Sequence, residues 1–209
     1  MEEVVKCVDL EKIKNHGMTL EEFGLISKCN GVFTEIFRPD ENEKETQNKM
    51  MKYLSDYCLK KNTHNKITHN STISQDDGSN SIPSEFKYEN KYGIISHNQR
   101  NVECKKTFDL KVKECNLDLF RTSIYTSTRR ENFFMITNTS RKILKQTGDG
   151  HFSPVAAYHK NSDSILILDS ARFKYNSMWF DVDSVYEAFK VLDKATNLHR
   201  GFILASRYF

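Results

Sequence analysis

The chain has no apolar run long enough to span a bilayer and no signal-peptide pattern behind Met1-Glu2-Glu3. These absences predict a soluble, cytoplasmic protein with no membrane partner. Strong charge of one sign is also missing: the net charge is +3 and the pI about 8.5. No basic block interleaved with aromatics occurs, so nucleic acid is not an expected partner. The five cysteines, Cys7, Cys29, Cys58, Cys104 and Cys115, include no C-x-x-C pair and no Cys-x-x-Cys…His pattern, which argues against a closed zinc site. In a cytosolic chain they are expected as reduced thiols.

What hydrophobic content there is, 38% of 209 residues, suffices for one domain but is unevenly spread. From Asn62 to about Asn101, Asn, Ser, Thr, His, Lys and Asp dominate and apolar residues stand singly. Such a stretch cannot bury enough surface to offset its ordering entropy, so disorder is expected. His64, His69 and His97 fall inside it without periodicity or scaffold and make no metal site. Residues Thr107 to Arg121 regain apolar character, as helix or strand, and the whole of 60–128 reads as a largely disordered insertion.

The N-terminal part predicts two short helices. Leu10 to Lys14 stops at Gly17, and Thr19 stands three before Glu22, a capping-box spacing ahead of Phe23, Leu25 and Ile26. Asn30-Gly31 closes the second helix. Val32 to Phe37 is a strand halted by Pro39. Glu43 to Lys60 is a helix whose Met50, Met51, Tyr53, Leu54, Tyr57 and Cys58 make one apolar face. Further on, Phe133 to Ile136 is a strand, Asn138-Thr139-Ser140 a turn and Lys142-Ile143-Leu144 a second strand. Asp183 is the expected cap of a helix carrying Val185, Phe189 and Leu192. Gly201 to Ser206 is the final buried strand.

The chemistry concentrates between His151 and Asp169. Val155 to Tyr158 is a short strand, Lys160-Asn161-Ser162-Asp163 a polar turn and Ile165 to Leu168 a continuous apolar run. A hairpin folded about 160–163 brings His151 beside Asp169, where a carboxylate can fix the tautomer of a histidine base. Gly148 and Gly150 bracket the approach and allow backbone conformations that other residues avoid.

Three runs, in this order, closely resemble the catalytic domain of phytochelatin synthase. They are Lys145-Gln146-Thr147-Gly148-Asp149-Gly150-His151-Phe152-Ser153-Pro154, Ile167-Leu168-Asp169-Ser170-Ala171-Arg172-Phe173-Lys174-Tyr175, and Arg200-Gly201-Phe202-Ile203-Leu204. The likeness is dense from about Arg130 to Arg207, weaker over 1–38 and absent from roughly 60–128. It implies an α+β, papain-like cysteine-peptidase fold, its antiparallel barrel-like half largely present and its N-terminal helical half incomplete. It also implies a Cys–His–Asp triad in which His151 and Asp169 match the family's histidine and aspartate.

The implied activity is γ-glutamylcysteinyl transfer, making phytochelatins from glutathione in heavy-metal detoxification. Arg172 and Arg200 are then candidates for substrate carboxylates, because guanidinium forks bind carboxylates bidentately. Cys7 and Cys29 fall where the family also carries cysteines and are candidate metal ligands. The resemblance further implies a heavy-metal ion (cadmium, zinc or copper) as activator, no organic cofactor, and metal–glutathione thiolates beside glutathione as partners. It leaves a homodimer open. The family's nucleophilic cysteine lies on a helix upstream of the histidine, and this chain reads as starting after that helix. The triad is therefore expected two-thirds present and the chain inactive alone, with Cys29 the one thiol left open as a substitute. Two alternatives stand beside this: a non-catalytic remnant binding glutathione or metal thiolates, and a papain-like hydrolase that removes glycine from glutathione.

Overall fold

Four successive residues of the last strand, Phe202, Ile203, Leu204 and Ala205, are all buried, which only a strand covered on both faces can achieve. Successive side chains of a strand point to opposite faces. Phe202 and Leu204 accordingly enter one hydrophobic core and Ile203 and Ala205 another. This strand, β9 (Gly201–Arg207), lies inside a seven-stranded sheet. The others are β1 (Val32–Pro39), β2 (Lys111–Cys115), β3 (Phe133–Ser140), β4 (Gly150–His159), β5 (Ser164–Ile167) and β6 (Met178–Asp181), in the order β2-β1-β9-β3-β4-β5-β6. A separate hairpin joins β7 (Leu192–Asp193) to β8 (Leu198–His199). The computed structural model describes residues 10–39, 42, 44–54 and 110–207. No helix among them is long and apolar enough to cross a membrane.

Helices cover the sheet on both sides. The first core is closed by α4 (Leu117–Ser127) and α5 (Val182–Phe189). Phe120, Phe189 and Phe202 meet there with ring centroids 5.0 to 5.9 Å apart, each contributing about 1.5–3 kcal/mol by burial. The second core lies under α1 (Leu10–His16), α2 (Leu20–Cys29) and α3, helical over residues 44–54. Met50 and Leu54 are the fully buried residues of α3, so the expected apolar face is there as far as residue 54. The expectations for 55–109, including disorder at 62–101, lie outside the described residues.

Local signals fixed the first elements. Thr19 accepts from the Glu22 amide and Glu22 accepts from the Thr19 amide, the full capping box. Asn30 caps α2, and Gly17 and Gly31 take positive φ just past their helices.

Elsewhere the structure corrects the sequence reading. Strands β3, β4, β5, β6 and β9 pair antiparallel, as expected of the C-terminal part, but the sheet as a whole is mixed, because β1 and β2 run parallel. The chain between them must return to the same end of the sheet, which a hairpin cannot do. Residues 110–128 are ordered as β2, α4 and their flanks, with Leu110, Val112, Phe120 and Ile124 buried, so disorder does not reach this part of 60–128. Asn138-Thr139-Ser140 continues β3 and is buried, its polar groups paired with β4 and β9. Lys142-Ile143-Leu144 is a turn: its apolar residues pack singly, Leu144 inward and Ile143 outward. The run Ile165 to Leu168 alternates, with Ile165 and Ile167 buried and their neighbours half-buried. Asp181, not Asp183, caps α5 by accepting from the Ser184 amide at 2.7 Å, while Asp183 pairs with Arg121. Leu192 belongs to β7.

Candidate active site

β4 changes partners along its length, and the site lies at its first residues. Residues 150–154 pair with β3 and residues 155–159 with β5, across a bulge between Val155 and Ala157. Pro154 sits at the changeover, where a missing N–H is least disruptive, and its carbonyl still accepts from the Leu168 amide at 2.9 Å. The turn closes as a short 3₁₀ segment, Lys160–Ser162, followed by Asp163 at positive φ. The expected hairpin therefore forms, and it brings its open ends together: His151 Nε2 lies 2.9 Å from Asp169 Oδ1.

The Asp169 carboxylate is buried, with 7% of the residue exposed. It accepts from the Ala171 amide at 2.8 Å and from both ends of one guanidinium, Arg141 Nη2 on Oδ1 at 3.0 Å and Nη1 on Oδ2 at 2.9 Å. Burial alone would raise its pKa. The Arg141 and Ala171 hydrogen bonds and the nearby positive charge outweigh that and hold it below the usual value. Asp169 is thus an ionised acceptor. His151 is half-buried, and burial lowers its pKa first, with the Arg141 charge adding to the effect against the opposing pull of Asp169. The shift favours the neutral imidazole, the form a general base needs before it takes up a proton.

Arg141 is itself held in place. It donates to Gln146 Oε1 at 2.8 Å and stacks on the Tyr175 ring at 4.9 Å. The loop 141–149 is pinned at its neck by Arg141 N–H to the Asp149 carbonyl at 2.7 Å. Gly148, at φ +115°, passes over the Arg141 side chain, where a Cβ would come within 3.1 Å of Cδ. Tyr175 Oη accepts from the Thr147 amide at 2.8 Å and Lys174 Nζ donates to the Thr147 carbonyl at 3.2 Å, strapping the segment after Asp169 to this loop.

Gly150 has a different reason from the one expected of it. A Cβ there would fall 1.7 Å from Arg200 Nη1, so its value is space and not a special φ. Arg200, the expected contact for a substrate carboxylate, is 4% exposed and committed inside the protein. It reaches Asn138 Oδ1 at 3.0 Å, Asp193 Oδ2 at 3.3 Å and Asp149 Oδ1 at 3.4 Å. Arg172 is exposed, three residues past Asp169. Cys29 is exposed at the end of α2 and disulfide-bonded, unlike the reduced thiol expected. Cys7 lies outside the described residues. Cys115 is a buried thiol on β2. Among the described residues no group of three or more His, Cys, Asp or Glu side chains is arranged to hold a metal ion.

Two residues that the sequence reading passed over complete the constellation. Arg141 has no motif signal, since only the loop closure brings it to Asp169. Ser170 lies beside the ring, its Oγ 3.0 Å from His151 Nε2, and its one sequence clue is adjacency to Asp169.

Comparison with known proteins adds to this geometry. Residues 86–202 match the family model described as phytochelatin synthase. Over 93 residues, 44% of this chain, the sequence is 44% identical to a glutathione gamma-glutamylcysteinyltransferase of Schizosaccharomyces pombe, covering 22% of that protein. It is 41% identical over 97 residues to glutathione gamma-glutamylcysteinyltransferase 1 of Arabidopsis thaliana, 46% of this chain and 20% of the relative. With glutathione gamma-glutamylcysteinyltransferase 3 of Lotus japonicus the match is 26% identical over 201 residues, 96% of this chain and 27% of the relative. In these matches it spans about a fifth to a quarter of its relatives' length.

Proposed function

The chain belongs to the phytochelatin synthase family, and on that premise we propose that it supplies the histidine and aspartate of a γ-glutamylcysteinyl transferase acting on glutathione. The observation that carries this reading is the 2.9 Å contact between His151 Nε2 and an ionised, buried Asp169. With Nε2 turned to the carboxylate, Nδ1 is the nitrogen left for proton transfer. We read the fold as papain-like on the strength of this pair at the open end of a hairpin, together with the family.

The proposed reaction has two halves. A cysteine thiolate, formed as its proton passes to His151 Nδ1, attacks the carbonyl carbon of the Cys–Gly bond of glutathione. The C–N bond breaks, the leaving glycine nitrogen takes the proton from Nδ1, and a γ-glutamylcysteinyl thioester remains. The amine of a second glutathione, or of a growing phytochelatin, then attacks the thioester. It returns its proton to Nδ1 as the thiolate leaves. Asp169 orients the ring and stabilises its charged form. Arg172, exposed and three residues past Asp169 in sequence, is our candidate for a substrate carboxylate. Cys7 remains a candidate metal ligand, and Cys29 becomes one only when its disulfide is reduced, with cadmium, zinc or copper entering as metal–glutathione thiolates, that is, as substrate. We place the reaction in the cytoplasm, where the glutathione pool would reduce the Cys29 disulfide and keep the reacting thiol free.

The test joins this chain to a segment that carries the family's nucleophilic cysteine and assays glycine release and γ-glutamylcysteine polymer, with and without cadmium. His151→Ala and Asp169→Asn are expected to lose turnover by orders of magnitude with unchanged circular dichroism. Near-normal turnover in His151→Ala sinks the assignment. Glycine release without polymer makes the protein a hydrolase. The same assay on the 209-residue chain alone, with Cys29→Ser as control, is expected to show neither product; release lost in that control makes Cys29 the nucleophile.

A further inference from the structure

We propose that Ser170 is a positioning residue for His151, holding the ring proton on Nε2 through a hydroxyl that extends the β4–β5 ladder by one rung. The inference rests on the reading of His151 as the base and concerns how its basic nitrogen is selected.

The backbone ladder between the two arms ends where the Leu168 amide donates to the Pro154 carbonyl at 2.9 Å. Two residues outward on each arm the same step is made by a side chain: Ser170 Oγ donates to the Phe152 carbonyl at 3.0 Å. A carbonyl oxygen only accepts, and a serine hydroxyl has a single proton. That proton is spent on Phe152, so towards His151 Nε2, 3.0 Å away, Ser170 Oγ presents lone pairs. Asp169 Oδ1, 2.9 Å from the same nitrogen, is also an acceptor because its carboxyl is held ionised. Nε2 therefore faces two acceptors and must carry the hydrogen, sharing it between them, and Nδ1 keeps the lone pair.

The serine adds something the aspartate cannot supply alone. Asp169 is shared with Arg141 and the Ala171 amide, so its pull on the imidazole is divided. Ser170 is tied to the carbonyl of the residue next to His151, so it moves with the strand that bears the ring. Phe152 is fixed in turn by stacking on Phe23 of α2, with centroids 5.2 Å apart and planes 16° from parallel. Ring, hydroxyl and carbonyl thus form one rigid rung.

The test is nitrogen NMR of the full 209-residue chain with labelled histidine, at about pH 8, where the imidazole is neutral. The His151 signals are identified by their loss in His151→Ala. Wild type is expected almost wholly as the Nε2–H tautomer. In Ser170→Ala the Nδ1–H form should rise on the order of fivefold, the equivalent of one hydrogen bond of ordinary net strength, and Ser170→Thr should restore the wild-type ratio. Ser170 is exposed, so the alanine variant is expected to fold, and its amide spectrum checks that. Identical tautomer ratios in wild type and Ser170→Ala overturn the proposal, as does a threonine variant that behaves like alanine. Turnover is not part of this readout. The acyl-transfer reading falls on the His151→Ala assay, and the Ser170 role falls on the tautomer ratio, so each can fail without the other.

Discussion

Arg141 and Asp169, 28 residues apart in sequence, form a two-pronged buried ion pair with contacts of 3.0 and 2.9 Å. The aspartate that orients His151 is therefore neutralised before the imidazole reaches it. A histidine beside a carboxylate thus still has a lowered pKa: burial lowers it first, and the guanidinium adds to this by offsetting the charge that would otherwise stabilise imidazolium.

Replacing Arg141 by Met should accordingly raise the pKa of both His151 and Asp169. It leaves a buried carboxylate with one strong partner fewer, a loss that typically costs about 3–5 kcal/mol. Histidine NMR titration reads the first effect and urea unfolding the second. An unchanged His151 titration would show that Arg141 does not set the base.

Acid should weaken the fold in two stages. His151 is lowered from 6.5, so its unfolded form takes up a proton at higher pH than its folded form. Stability from this group is complete above 6.5 and is lost as pH falls through the lower folded value. Asp169 is lowered from 3.8, so its contribution is present above 3.8 and is lost on further acidification through the folded value. Unfolding free energy measured against pH should show both declines, and His151→Ala should remove only the upper one. An upper decline that survives in His151→Ala assigns it to another group.

Gly150→Ala should destabilise the protein by about 2–3 kcal/mol, within the usual cost of forcing atoms into a packed site. The new Cβ would lie 1.7 Å from Arg200 Nη1, and that end of the side chain is tied to Asn138 and Asp193. In an Arg200→Ala background the same change should cost clearly less, because the obstacle is gone. Strict additivity in this double-mutant cycle would refute the space-filling role of Gly150. Gly201→Ala should be worse than either, since its Cβ would meet the Phe37 carbonyl oxygen at 2.0 Å and only backbone could move.

Tyr175→Phe keeps the ring beside Arg141 but removes the acceptor of the Thr147 amide. Hydrogen exchange at Thr147 should speed up by roughly tenfold, as for an amide freed by local opening, with little change in global stability. Exchange at the wild-type rate would mean that the strap does not depend on the phenol.

The sequence by itself determined the features whose causes are local. Thr19 and Glu22 cap each other within one turn, Gly17 and Gly31 stop helices by their own φ, and the 160–163 turn folds one hairpin. That hairpin is why the His151–Asp169 contact was legible across eighteen residues. Tertiary structure decided whatever depends on which surfaces meet. Nothing near Asn138 or Lys142 in sequence says that β3 continues to Ser140 and that the chain then turns. The buried ladder to β4 and β9 decides it, overriding turn-forming residue types. Arg200 was readable as a ligand contact until Gly150 proved to make room for it, with carboxylates of the protein, Asp149 and Asp193, in reach. Arg141 reaches Asp169 only through loop closure at Asp149, and a guanidinium's partner is set by distance in space, which residue type alone does not encode.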